Sequence, residues 1–174
     1  MIINYDFVFI MVYMKLRDWI DIKKLNWEYL SKNQNAIDFL KENQDKIYWK
    51  YLSENPNGIE LLKENYHKIY WKHLSLNPNA IELLEENPDK INWNLISSIS
   101  YNIKFLKNNI HKINFKYLSL NPNAIEILKE NQDKIYWEHL SLNKNAIELL
   151  KENQDKINWK LLSKNPSIFT YDYE

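Results

Sequence analysis

The sequence predicts an all-α solenoid of seven 22-residue repeats, each made of two short helices. Three observations predict it. Asn stands at positions 33, 55, 77, 121, 143 and 165, and again at 43, 65, 87, 109, 131 and 153, so both series step by 22. The one missing mark is Ile99. Each repeat also carries a segment such as Ala80-Ile81-Glu82-Leu83-Leu84-Glu85-Glu86, whose apolar residues share one arc at helical spacing with the glutamates opposite. Finally, helices this short are unstable alone, so neighbouring pairs must stack to bury their apolar faces.

Taken in order, residues 1–20 form an N-terminal cap over the first repeat. Their apolar run, Phe7 to Met14, is too short to span a bilayer, and Asp6 stands where a secretory signal carries basic residues. The repeats then start at 21, 43, 65, 87, 109, 131 and 153 and fill 21–174 without a linker. In 65–86 the first helix covers Asn65 to Leu76, with a wide apolar arc of Ile69, Tyr70, Trp71, His73 and Leu74. The second follows Asn77-Pro78, where Asn caps orphan N–H groups and Pro fits the first helical position. Asn87-Pro88 is expected to open the next helix in the same way. Ala36, Gly58, Ala80, Ala124 and Ala146 keep one position small for close helix approach. Trp49, Trp71, Trp93, Trp137 and Trp159, with Phe115, form a column assigned to the core between repeats. In the fourth repeat Asn102 takes the small position and Ile99 cannot cap, so Ser98 or Ser100 is expected to start that helix. The last repeat loses its Leu-Leu pair and forms a degenerate cap.

A leucine-rich-repeat-like solenoid is the alternative, since Trp71-x-x-Leu74-x-Leu76-x-x-Asn79-x-Ile81 imitates that frame. It would place Lys32, Glu54 and Lys164 in the core at the Leu76 position, which disfavours it.

Composition removes several function classes. Lys+Arg and Asp+Glu are both 23, giving zero net charge, so bulk positive charge is not available for nucleic acid. There is no cysteine, and one glycine, Gly58, rules out glycine-rich phosphate loops. His67, His73, His111 and His139 are too far apart along the array, or around one helix, to share a metal ion. Glutamates recur in columns, and Ser31, Ser53, Ser75, Ser97, Ser119, Ser141 and Ser163 fill another. A periodic column is a packing or capping device rather than a singular nucleophile. No catalytic, cofactor or metal site is expected, and the chain is not expected to be an enzyme.

What remains is surface. Positions that vary between repeats at i, i+4 and i+7 of the first helix build a stripe containing Tyr48, Tyr51, Tyr70, His73, Tyr117, Tyr136 and His139, a candidate face for a protein or peptide partner; the alternative is interior packing, with the Tyr and His tips satisfied locally. Lys46, Lys68, Lys90, Lys112, Lys134 and Lys156 continue a lysine column begun by Lys24, a candidate polyanion ridge. Arg17 is the only arginine, which weakens nucleic acid as a partner. A third possibility is a structural protein whose repeat ends stack between chains.

The frame Asn-Pro-Asn-Ala-Ile-Glu-x-Leu-Lys-Glu-Asn-x-Asp-Lys-Ile-x-Trp-x-x-Leu-Ser, nearly whole at 121–141, resembles a short repeat of uncharacterised proteins from giant, mimivirus-like DNA viruses. Over 21–174 the resemblance implies a viral origin and a helical repeat; without a convincing signal or membrane segment, host cytoplasm or virion is the expected location. It implies no catalytic residues.

Overall fold

The structure, a computed structural model, describes residues 14–99 and 102–170. Most of the predicted cap, 1–13, therefore lies outside the described residues, as do Ser100, Tyr101 and 171–174. Contacts gather the chain into two compact bodies, Met1–Ile69 and Tyr70–Glu174. Every regular element among the described residues is helical, so the all-α repeat fold stands and the leucine-rich alternative, which needs strands, does not. No described helix is long and apolar enough to cross a membrane.

Most repeats hold three elements rather than two; 21–42 adds a second 3-10 turn, and 109–130 has a simple turn where the others have the first 3-10 element. In the first body, 43–64 forms a 3-10 turn at Gln44–Lys46, an α-helix at Trp49–Glu54 and a second at Ile59–Glu64. In the second body, 131–152 forms Gln132–Lys134, Trp137–Leu140 and Ile147–Lys151. The single first helix expected from the sequence is thus broken at its middle. The break has a hydrogen-bonding cause. Ile135 is extended at φ −68°, ψ 130°, and the N–H of Tyr136 leaves its own turn to donate to Ser119 Oγ of the preceding repeat, 3.1 Å away. Ser119 Oγ in turn donates to the Phe115 carbonyl at 2.8 Å. Ser31 makes the same two bonds in the first body, to Trp27 at 2.7 Å and from Tyr48 at 3.0 Å. Ser31, Ser75, Ser97, Ser119 and Ser141 are therefore a buried relay between repeats.

Asparagine completes the joint. Asn143 is buried, its Oδ1 accepts the Asn145 N–H at 3.0 Å, and its Nδ2 donates backward to the carbonyls of Ser119 and Asn121, both at 3.0 Å. Asn165 repeats the pattern on Ser141 at 3.1 Å and Asn143 at 2.9 Å. In the first body Asn55 does so on Ser31 and Asn33, both at 3.0 Å. This series was expected to cap the second helices; Asn55, Asn77, Asn121 and Asn143 instead accept the N–H two residues on, in the preceding turn, and those helices start at Ile59, Ile81, Ile125 and Ile147 with no side-chain cap. The backward clamp was not expected. The other series behaves differently from expectation. Asn87 makes no N-terminal cap, but donates its amide to the Leu83 carbonyl at 2.9 Å, closing the helix before it. Asn43, Asn65, Asn109, Asn131 and Asn153 close their preceding helices likewise.

The core lies between these joints. Leu52, Leu61 and Leu62 are fully buried in one body, and Leu118, Ile127 and Leu128 in the other. The small column packs as expected: Ala80, Ala124 and Ala146 are fully buried. At Gly58 an added Cβ would sit 2.9 Å from the Leu52 carbonyl oxygen. In the fourth repeat the first helix runs on to Ile99, Trp93–Ile99, since no asparagine stops it there. Asn102, not a serine, caps the next helix, accepting from the Phe105 N–H at 2.9 Å. Ser98 instead donates back to the Leu95 carbonyl.

Asn143→Asp keeps the side-chain shape and the bond from Asn145, but turns the donor into a carboxylate oxygen facing two carbonyls. It should lower the unfolding free energy by about 3 kcal/mol, the upper range for leaving buried polar groups unsatisfied. Asn33→Asp, at an exposed rung with no backward bond among the described residues, should change it by under about 0.5 kcal/mol. Urea unfolding of both variants checks the contrast; equal shifts would refute the clamp.

Candidate functional site

The variable stripe does not lie on one helix, because the broken first helix distributes its three positions. Gln44 and Gln132 open 3-10 turns, Tyr48 and Tyr136 sit at the start of the following α-helix, and Tyr51 and His139 lie within it. The middle position is the N-cap. Asn26, Asn92, Asn114 and Asn158 use their Oδ1 there to accept helix N–H groups, for instance Leu161 to Asn158 at 3.0 Å. Tyr48, Tyr70 and Tyr136 make no such cap. Their rings are instead 48%, 52% and 51% exposed. Their neighbours at the third position are drawn in closer. His73 lies 6.4 Å from the Tyr70 ring and His139 6.4 Å from that of Tyr136. His139 Nδ1 is 2.7 Å from the Lys116 carbonyl, and Lys50 lies 5.4 Å from the Tyr51 ring centre. Tyr117 is exposed at its rim. The stripe is a surface, with the tyrosines as its outermost rings.

An open groove runs beside this surface in the second body. It encloses about 750 Å³ and is lined by Trp93, Phe115, Lys112, Lys134, Asn114 and Tyr136, among others. The first body repeats the arrangement on a smaller scale, about 380 Å³ between Trp27, Lys46 and Tyr48.

The lysine and tryptophan columns meet each other. Lys46 Nζ lies 4.9 Å from the Trp27 ring centre, and Lys68 4.3 Å from that of Trp49. In the second body Lys112 covers Trp93 at 5.5 Å, Lys134 covers Phe115 at 5.1 Å and Lys156 covers Trp137 at 4.7 Å. Each of these five lysines therefore rests on the aromatic ring of the repeat before it. Lys90 pairs with Asp89 at 2.9 Å, whose carboxyl is held below its ordinary range by that ammonium. These contacts also correct the placement of the tryptophans. Trp49, Trp71, Trp93 and Trp137 are half-buried and Trp159 is exposed, rather than core, and the rings of Trp49, Trp93 and Trp137 meet an ammonium that stays in water. Trp27 and Trp93 stack at 5.6 and 5.8 Å on Phe39 and Phe105 of their own repeats.

Lys32 and Glu54, which the leucine-rich frame would have buried, form an ion pair at 2.8 Å between repeats, and the bond to Glu54 raises the Lys32 pKa. Among the described residues no three His, Asp or Glu side chains converge as a metal site. No known protein family, curated protein or solved structure matches this chain.

Two outcomes test this geometry. Tyr136→Asn should raise the unfolding free energy by about 0.5–1 kcal/mol, since it supplies the missing cap, and Asn158→Tyr should lower it by about 1 kcal/mol. Trp93→Ala should cost about 2 kcal/mol, below the 3–5 kcal/mol of a fully buried aromatic, and less than Leu106→Ala. Urea midpoints rank all four; a destabilised Tyr136→Asn would return that ring to the core.

Proposed function

We propose that this chain is a non-enzymatic helical repeat scaffold, of viral origin, that holds a protein or peptide against its tyrosine-lined grooves. The observation that carries the proposal is the forfeited cap. At one position of the repeat Asn satisfies helix N–H groups, yet Tyr48, Tyr70 and Tyr136 occupy that place uncapped and half exposed. A residue that gives up about 1 kcal/mol of capping while leaving an aromatic ring in water serves something outside the fold. Tyrosine suits recognition, because it brings a large rigid face and one hydrogen-bonding tip at small entropic cost. The viral origin rests on the resemblance of the frame at 121–141.

The lysine column gives less support to a polyanion partner. Its ammonium groups are engaged with rings of the preceding repeats, and no guanidinium accompanies them to grip phosphate bidentately. Selection from a random peptide library on the wild-type chain tests the proposal. Selected peptides should bind the Tyr48→Asn/Tyr70→Asn/Tyr136→Asn variant at least about tenfold more weakly, a loss of 1.4 kcal/mol, although that variant is the more stable protein. Equal affinity for both chains, or no selected peptide, would refute it.

A further inference from the structure

The groove of the second body crosses two neighbouring rungs, and the two differ in charge. One is Trp93 with Lys112 of the next repeat; the other is Phe115 with Lys134 of the repeat after that. At the second rung Asp133 lines the groove beside Lys134, whose ammonium also donates to Asn131 Oδ1 at 3.3 Å. At the first rung the aspartate is missing. His111 precedes Lys112, where Asp45, Asp89, Asp133 and Asp155 precede their lysines. Among the described residues Lys112 has no ion pair or hydrogen bond, and its ammonium meets only the Trp93 ring, at 5.5 Å. A ring covers one side of an ammonium and leaves its other donors to solvent or a ligand.

The same rung carries a second donor. Position 94 holds Asn, whereas Glu28, Lys50, Lys72, Lys116, Glu138 and Lys160 put a charge there in the other repeats. The hydrogen bonds fix which way its amide faces. Asn114 Oδ1 accepts from the Lys116 N–H at 3.1 Å, so Asn114 Nδ2 is the atom that donates to Asn94, 2.7 Å away. The Asn94 atom that receives it is therefore Oδ1, and Asn94 Nδ2 is left with no acceptor among the described residues. Asn94 and Lys112 are both exposed, and both line the groove. An ammonium and an amide N–H beside one ring, with no aspartate next to the lysine, suit a carboxylate.

We propose that the peptide partner inferred above, on which this step rests, is an extended acidic segment. One Asp or Glu side chain is held by Lys112 and Asn94, and an apolar side chain lies against Phe115. The spacing follows from the stack. Packed helices lie about 8–10 Å apart, and three residues of extended chain cover about 10 Å. The two anchors are therefore three residues apart in the peptide. Charge sets their order, because a second acid at the far rung would stand beside Asp133, while the first rung has no such neighbour. A nucleic acid, whose charge repeats at every step, finds net positive charge at one rung only.

Selection from a random peptide library on the full chain, repeated on two variants, tests it. Lys112→Glu reverses the charge, and Asn94→Asp keeps the oxygen that accepts from Asn114 but loses the donor. Lys112→Met replaces the first if circular dichroism shows it to be misfolded. Wild-type peptides should carry Asp or Glu three places from an apolar residue and bind each variant at least about tenfold more weakly. Peptides selected on Lys112→Glu should carry Lys or Arg at the place of the acid. Selected peptides that lack the acid, or bind all three chains equally, overturn the proposal. If those peptides still lose affinity for Tyr48→Asn/Tyr70→Asn/Tyr136→Asn, the tyrosine face survives alone. Acidic peptides that need Lys112 and Asn94 but tolerate the tyrosine changes leave this site standing and remove that face. No selected peptide overturns both, and displacement of the peptides by oligothymidylate at equal concentration overturns the acidic peptide in favour of a polyanion.

Discussion

The fold depends on polar side chains that bond to the backbone of the preceding repeat. Helices of four to six residues, such as Trp137–Leu140 and Trp49–Glu54, cannot satisfy their own termini, let alone hold a stack together. Serine and asparagine solve both problems at once. Ser119 and Ser141 receive the N–H that breaks the next repeat's helix, while Asn143 and Asn165 accept an N–H two residues ahead and clamp backward from one amide. These groups are buried, so each bond forms where water cannot compete, and losing a partner is costly. The leucines fill the space that this polar frame sets out.

The frame also explains why the lysine and aromatic columns are so regular. A 22-residue step places five of the column's lysines over the ring 19 residues earlier, as for Lys46 on Trp27 and Lys134 on Phe115. Half-buried rings meet ammonium groups that keep part of their hydration, which suits an array whose members expose both faces until stacked. The positions left outside this bookkeeping are those free to differ, and the tyrosines at 48, 70 and 136 are the largest of them.

Much of this was legible in the sequence. The period, the amphipathic second segment and the small column follow from residues such as Ala80, Leu83 and Leu84, whose spacing permits one face only. The direction of the asparagine bonds was not legible. An amide carries a donor and an acceptor, and Asn143 uses the acceptor locally, as a cap must, while the donor reaches a carbonyl 22 residues away that no local pattern reveals. The same blindness joined the 3-10 turn to the first helix, because the extended Ile135 looks like any apolar residue of a helical arc. Once that boundary moves, the alternation of Tyr with Asn at 26, 48, 70, 92, 114, 136 and 158 marks a cap position, a signal present in the sequence but read as a stripe. The lysine ridge was visible as a column, yet its partner 19 residues earlier appears only when the repeats are stacked.

The account is tested most directly by side-chain amide exchange in the unmodified chain, followed by NMR at the asparagine Nδ2 groups. Asn55, Asn143 and Asn165, which clamp carbonyls of a preceding repeat, should exchange orders of magnitude more slowly than the exposed Asn33 and Asn35. If all five exchange at the rate of free amides, the backward clamp does not hold the repeats together and the leucine core alone must.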